Sequence, residues 1–229
     1  MRTAPFPARG HIGAEEKAAV DVLFDRAMAT GEAPGYNGEA EDAYCEAFST
    51  YMGGGYTDAV SSGTAGLYVA LRALDLEPFG EVIVGAVTDP GGMMPIPLLN
   101  LIPIIADTTP GSYNTGLDQV AACLSPHTRA VVIPHIGGEP ADIAPIVEAA
   151  HARGIPVIED GSQSHGATID GRRVVPLATS RSSRRCLGNT TARAGRADWS
   201  SRAMPPVIRR SGGRPIAASP SSCPRGRPT

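Results

Sequence analysis

The sequence predicts an α/β domain, a mostly parallel sheet with flanking helices, followed by a disordered C-terminal tail. Three observations carry this. Short apolar runs alternate with longer segments of helical periodicity, the pattern of βαβ units. The run Ile155, Val157, Ile158, bounded by Gly154 and Gly161, is apolar toward both faces, as a strand buried inside a parallel sheet requires. The charge balance changes sign at Val174, with 9 basic and 22 acidic residues up to it and 11 arginines against the single Asp198 after it. Residues 1–174 are therefore read as the folded part and 175–229 as the tail.

In order along the chain, Ala18, Val22, Leu23 and Met28 fall near helical spacing in residues 14–29, with Gly31 as a stop. Residues 39–52 read as a second helix, ended by Gly53-Gly54-Gly55. Residues 57–61 are a short strand candidate, after which Ser62-Gly63-Thr64 lead into a helix with apolar Leu67, Val69, Ala70, Leu71 and Leu74. Strands are predicted at 81–84, 102–106 and 130–133. Between them fall a proline-rich helical stretch after Asp89 and a helix at 117–124; a helix at 141–153 leads into the Ile155 strand. From Val175 onward neither period persists, and a segment so rich in Arg, Ser, Pro and Gly cannot bury enough apolar surface to order itself.

A chain of 229 residues with 42% apolar and 19% charged residues matches soluble globular proteins. The longest apolar stretch, residues 93–106, is broken by Pro95, Pro97, Asn100 and Pro103, too short and interrupted to span a bilayer. Glu15, Glu16 and Asp21 come too early for a signal peptide. Cys45, Cys123, Cys186 and Cys223 show neither metal-type spacing nor a disulfide framework, which suits a cytoplasmic, reducing setting.

Two constellations carry chemistry. Ser61-Ser62-Gly63-Thr64-Ala65 joins a strand to a helix, where free N–H groups and the helix dipole favour an anion; Gly63 permits close approach and Thr64 adds a hydroxyl. The same residues also suit an ordinary N-cap. Asp160 stands where the Ile155 strand ends, the place at which open α/β sheets bind ligands, although an Asp there also caps turns. Facing a pyridine nitrogen, its carboxylate would keep that nitrogen protonated, as pyridoxal phosphate needs to act as an electron sink. Gln163 could hydrogen-bond the cofactor's phenolic oxygen, and His165 is a further candidate.

These stretches, with Phe48-Ser-Thr-Tyr-Met-Gly, Ala59-Val-Ser-Ser-Gly-Thr-Ala-Gly-Leu, Gly80-Glu-Val-Ile-Val, Ile102-Pro-Ile-Ile-Ala-Asp, His135-Ile-Gly-Gly-Glu-Pro-Ala-Asp and Val157-Ile-Glu-Asp-Gly-Ser-Gln-Ser-His-Gly-Ala, resemble the DegT/StrS-type aminotransferases. The resemblance runs from Pro7 to Arg173 in the family's order. It implies a fold-type I pyridoxal-phosphate domain, an amino-acid donor, a keto-sugar-type (nucleotide-linked) or cyclitol acceptor, and a homodimer for an intact relative. It also implies that Gly63 and Thr64 hold the phosphate, flanked by Ser62 and Ala65, while Asp160 holds the pyridine nitrogen and Gln163 the phenolic oxygen.

Two departures stand out. Thr88-Asp89 occupies the place where many members follow a threonine with a ring-stacking aromatic, which makes Asp89 a possible site residue. The family's Schiff-base lysine is missing, since the chain's single lysine is Lys17 in the first helix. The tail explains the loss if it is read out of frame. Re-reading each codon as its predecessor's last base plus its own first two allows residues 175–186 to spell Gly-Thr-Phe-Gly-Asp-Ile-Ala-Val-Phe-Ser-Thr-Met. Asn189 then becomes lysine, five residues after the serine, which is the family's spacing.

The expectation is an aminotransferase-type domain without activity in this chain. Two alternatives remain: a non-catalytic binder of pyridoxal phosphate or a nucleotide sugar, and a nucleic-acid arm built on Arg181, Arg184, Arg185, Arg209 and Arg210. Trp199 is the tail's one aromatic residue, which argues against base stacking and makes nucleic acid the weaker partner.

Overall fold

The structure, a computed structural model, describes residues 13–33, 38–174 and 191–194. The chain divides into two compact units, Met1–Glu41 and Asp42–Thr229.

In the first unit, α1 (Ala14–Thr30) starts where the Glu16 carboxylate accepts a hydrogen bond from Gly13 N–H at 2.7 Å, which holds its pKa below the usual range. It ends at Gly31, whose φ of 73° turns its N–H back to the Ala27 carbonyl at 2.9 Å. Arg26 pairs with Glu39 at the start of α2 (Glu39–Tyr51), lowering the pKa of the carboxyl and raising that of the guanidinium. The expected helix is present, but its apolar residues are not buried: Val22, Phe24 and Met28 are all exposed.

The second unit is built on four parallel strands in the order β3-β2-β4-β5. These are β2 (Glu81–Gly85), β3 (Ile102–Ala106), β4 (Thr128–Pro134) and β5 (Val157–Asp160). Val82, Ile83 and Val84 are fully buried in succession, because helices cover both faces of the sheet. On one face Ile83, Val131, Ile133 and Val157 pack against Val120 of α6 (Leu117–Cys123) and Ile143 and Ile146 of α7 (Ile143–His151). On the other, Val82, Val84, Val132 and Ile158 meet Leu67, Ala70 and Leu71 of α3 (Gly63–Ala73) and Ile96 of α5 (Pro95–Leu98). A short α4 (Pro90–Met93) precedes α5, so the proline-rich stretch is two single-turn helices, each admitting proline at its start.

After β5, a two-residue hairpin joins β6 (Thr168–Ile169) to β7 (Arg172–Arg173). Asp170 and Gly171, at φ 50° and 75°, have the left-handed backbone that such a turn demands. The Arg173 guanidinium lies 3.8 Å from the centre of the Tyr51 ring, tying the hairpin to α2. The tail, expected to be disordered, supplies one described strand, β8 (Thr191–Ala194), antiparallel to β1 (Tyr56–Ala59). The other tail residues singled out in the sequence, Asn189 included, lie outside the described residues. No helix among the described residues is long and apolar enough to cross a membrane.

Candidate active site

Parallel strands all end on the same side, and the first turns of the following helices point back toward those ends. A cavity of about 260 Å³ lies there, lined by Gly63 and Thr64 of α3, Thr88 and Asp89 before α4, Asp160 at the end of β5 and Gln163 after it.

At one side, Ser62 caps α3. Its Oγ accepts from Ala65 N–H at 3.1 Å and its carbonyl from Gly66 N–H at 3.0 Å. The N–H groups of Gly63 and Thr64 belong to the first turn, which has no helical acceptor to offer them, and both residues line the cavity. The cap and anion readings of this segment therefore fall to different residues: Ser62 and Ala65 build the cap, while Gly63 and Thr64 face the cavity.

Asp160 shows the same division between its two oxygens. Oδ1 accepts from Ser162 N–H at 3.0 Å and from the Ser162 hydroxyl, closing the turn after β5. Oδ2 lies toward Gly92, and the residue as a whole is 6% exposed. Gln163 places its Oε1 against Gly137 N–H at 3.0 Å, which leaves its NH2 as a donor. Asp89 caps α4 through Gly91 N–H at 2.9 Å. His165 is exposed and does not line the cavity.

Several site residues escaped the sequence reading. Gly91 and Gly92 form one wall; a Cβ on Gly91 would collide with Thr64 Oγ1, and one on Gly92 with Thr88 Oγ1. His135, which lines the cavity, and Glu159 are both 0% exposed, with Nε2 3.2 Å from Oε1. Ala141 N–H donates to His135 Nδ1 at 2.9 Å, so the ring's proton is on Nε2, aimed at the carboxylate. The pair ties the ends of β4 and β5 together beside Asp160, whose carbonyl also accepts from His135 N–H at 3.0 Å. Replacing His135 by alanine should cost about 2 kcal/mol by removing the ring's hydrogen bond to the buried Glu159. A urea midpoint that does not move would contradict this.

The donor set fits pyridoxal phosphate at three points: N–H groups for a phosphate, a fixed carboxylate for a pyridine nitrogen, and an amide donor for a phenolic oxygen. It lacks the amine, because the only lysine, Lys17, lies on α1 and pairs with Asp21.

The chain is similar to several known proteins. MosB of Rhizobium meliloti is 34% identical over 170 residues, covering 74% of this chain and 32% of MosB. The structure of the aminotransferase TlmJ from Streptoalloteichus hindustanus superposes with a TM-score of 0.65 at 30% identity, covering 73% of this chain and 45% of TlmJ. NtdA from Bacillus subtilis, solved with bound cofactor PMP, gives a TM-score of 0.63 at 26% identity over 71% of this chain and 37% of NtdA. The chain thus spans about a third of MosB and under half of either solved relative. The sequence profile of the DegT/DnrJ/EryC1/StrS aminotransferases matches residues 15–182, most of the chain and every residue of the cavity, and the chain belongs to that family.

Proposed function

We propose that this chain carries the cofactor cavity of a pyridoxal-phosphate aminotransferase acting on keto-sugar-type substrates, and that it lacks turnover because its Schiff-base lysine is out of frame. The observation that carries the reading is the cavity itself. It sets first-turn N–H groups of α3 opposite a buried carboxylate at the end of β5, on a chain whose family uses this cofactor. Bound pyridoxal phosphate supplies an electron sink for chemistry at an amine-bearing carbon. The chain's own residues bind and orient it. Gly63 and Thr64 take the phosphate, Asp160 Oδ2 holds a proton on the ring nitrogen, and Gln163 donates to the phenolic oxygen. Gly91 and Gly92 leave room on the wall where Thr88-Asp89 replaces the stacking aromatic. The amino donor is an amino acid, an intact relative works as a homodimer, and the setting is the cytoplasm.

Pyridoxamine phosphate is the probe of choice, because it has no aldehyde to react with Lys17 or the N-terminus. We expect saturable binding in the micromolar range, about −8 kcal/mol, read by the probe's fluorescence and competed by inorganic phosphate. Failure to saturate would reject the cavity as a cofactor site.

A further inference from the structure

We infer that Asn114 is a positioning residue for Gln163, fixing which end of that amide faces the cavity. The inference rests on the cofactor reading above. Asn114 lies in the loop before α6 and is 5% exposed, yet both ends of its amide are engaged. Oδ1 accepts from Ile136 N–H at 2.9 Å, and Nδ2 donates to the Glu139 carbonyl at 2.9 Å. These two contacts grip the start and end of one turn, closed by Glu139 N–H on the Ile136 carbonyl at 3.0 Å. Inside the turn sit Gly137 and Gly138, at φ 63° and 86°, with no side chains to anchor them. Gly137 N–H is the group that holds Gln163 Oε1.

The chain of contacts has a chemical consequence. Gln163 is exposed, so its amide is free to rotate unless something names its oxygen. Gly137 N–H does so, and only while the turn keeps its shape. With Oε1 engaged, the Nε2 hydrogens remain for the ligand, which selects an acceptor oxygen such as a phenolate over a donor. Asn114 is itself braced, its N–H donating to Ser112 Oγ at 3.0 Å and its carbonyl accepting from Thr109 N–H at 2.8 Å. A side chain far from the ligand in sequence thereby sets the polarity of one wall of the site.

The test is a double-mutant cycle on the full chain, titrating pyridoxamine phosphate against wild type, Asn114→Ala, Gln163→Ala and the double variant. Each single change should weaken binding about fivefold, the scale of one hydrogen bond, and the double no more than either alone. The absorption of bound probe should also show its phenol titrating at higher pH in both single variants, a change that loss of stability alone would not produce. Asn114→Asp serves if the alanine variant does not fold: it keeps the Ile136 contact, sets an acceptor against the Glu139 carbonyl, and should weaken binding similarly. Unchanged binding in the Asn114 variants, or losses that multiply in the double, would overturn the inference alone. A wild type that binds no probe would overturn the cofactor reading and the inference together.

Discussion

One base added to the coding sequence at the Val174 codon is expected to produce a protein with transaminase turnover, where the chain as it stands is expected to show none. Among the described residues the cavity has N–H groups, a carboxylate and an amide donor, and no lysine amine lines it to form the covalent link and to move the proton. Losing a group that is both nucleophile and general acid/base costs on the order of 10⁴-fold or more in rate. The comparison is therefore nearly all-or-none, and it can be followed with a panel of amino-acid donors through the change in the cofactor's absorption. Turnover by the unrepaired chain would refute the assignment of the missing lysine.

Asp160 should dominate binding. Asp160→Asn is the informative change, since an amide keeps an oxygen for Ser162 N–H and so preserves the turn after β5. What it removes is the negative charge that holds a proton on the ring nitrogen. A charge-assisted hydrogen bond from a buried carboxylate is worth about 3 kcal/mol, so affinity for pyridoxamine phosphate should fall about hundredfold with little change in melting temperature. Comparable affinity in the two proteins would remove Asp160 from the role given to it here. A parallel fall in stability would mean that the turn, rather than the ligand, needs the charge.

Much of this was legible in the sequence because the sheet is buried on both faces. Val82-Ile83-Val84 and Val157-Ile158 read as buried parallel strands, and they are β2, inside the described order, and β5, at its end; the helices between them followed from periodicity. Strand ends and helix starts are where such sheets bind ligands, which is why Gly63, Thr64, Asp160 and Gln163 stand out in the sequence. The Gly91-Gly92 wall was not legible, since two glycines after Asp89-Pro90 look like any turn until α4 is seen beside Thr64 and Thr88. The His135–Glu159 pair spans 24 residues and exists only through the register that sets Ile133 beside Glu159 and Pro134 beside Asp160. Asn114 sits in a loop with no period, and its partners are set by the fold alone. For α1 the helix was readable, but apolar spacing does not say what, if anything, covers it.

The most direct test of the central claim is to read the bases of the codons from Gly171 to Asn189. The shifted frame should spell Gly-Thr-Phe-Gly-Asp-Ile-Ala-Val-Phe-Ser-Thr-Met from the Val175 position and give lysine at the Asn189 position, a choice of bases that the present amino acids permit but do not require. A shifted frame that spells other residues, or meets a stop before the lysine, would contradict the claim and leave a family member that never had its amine.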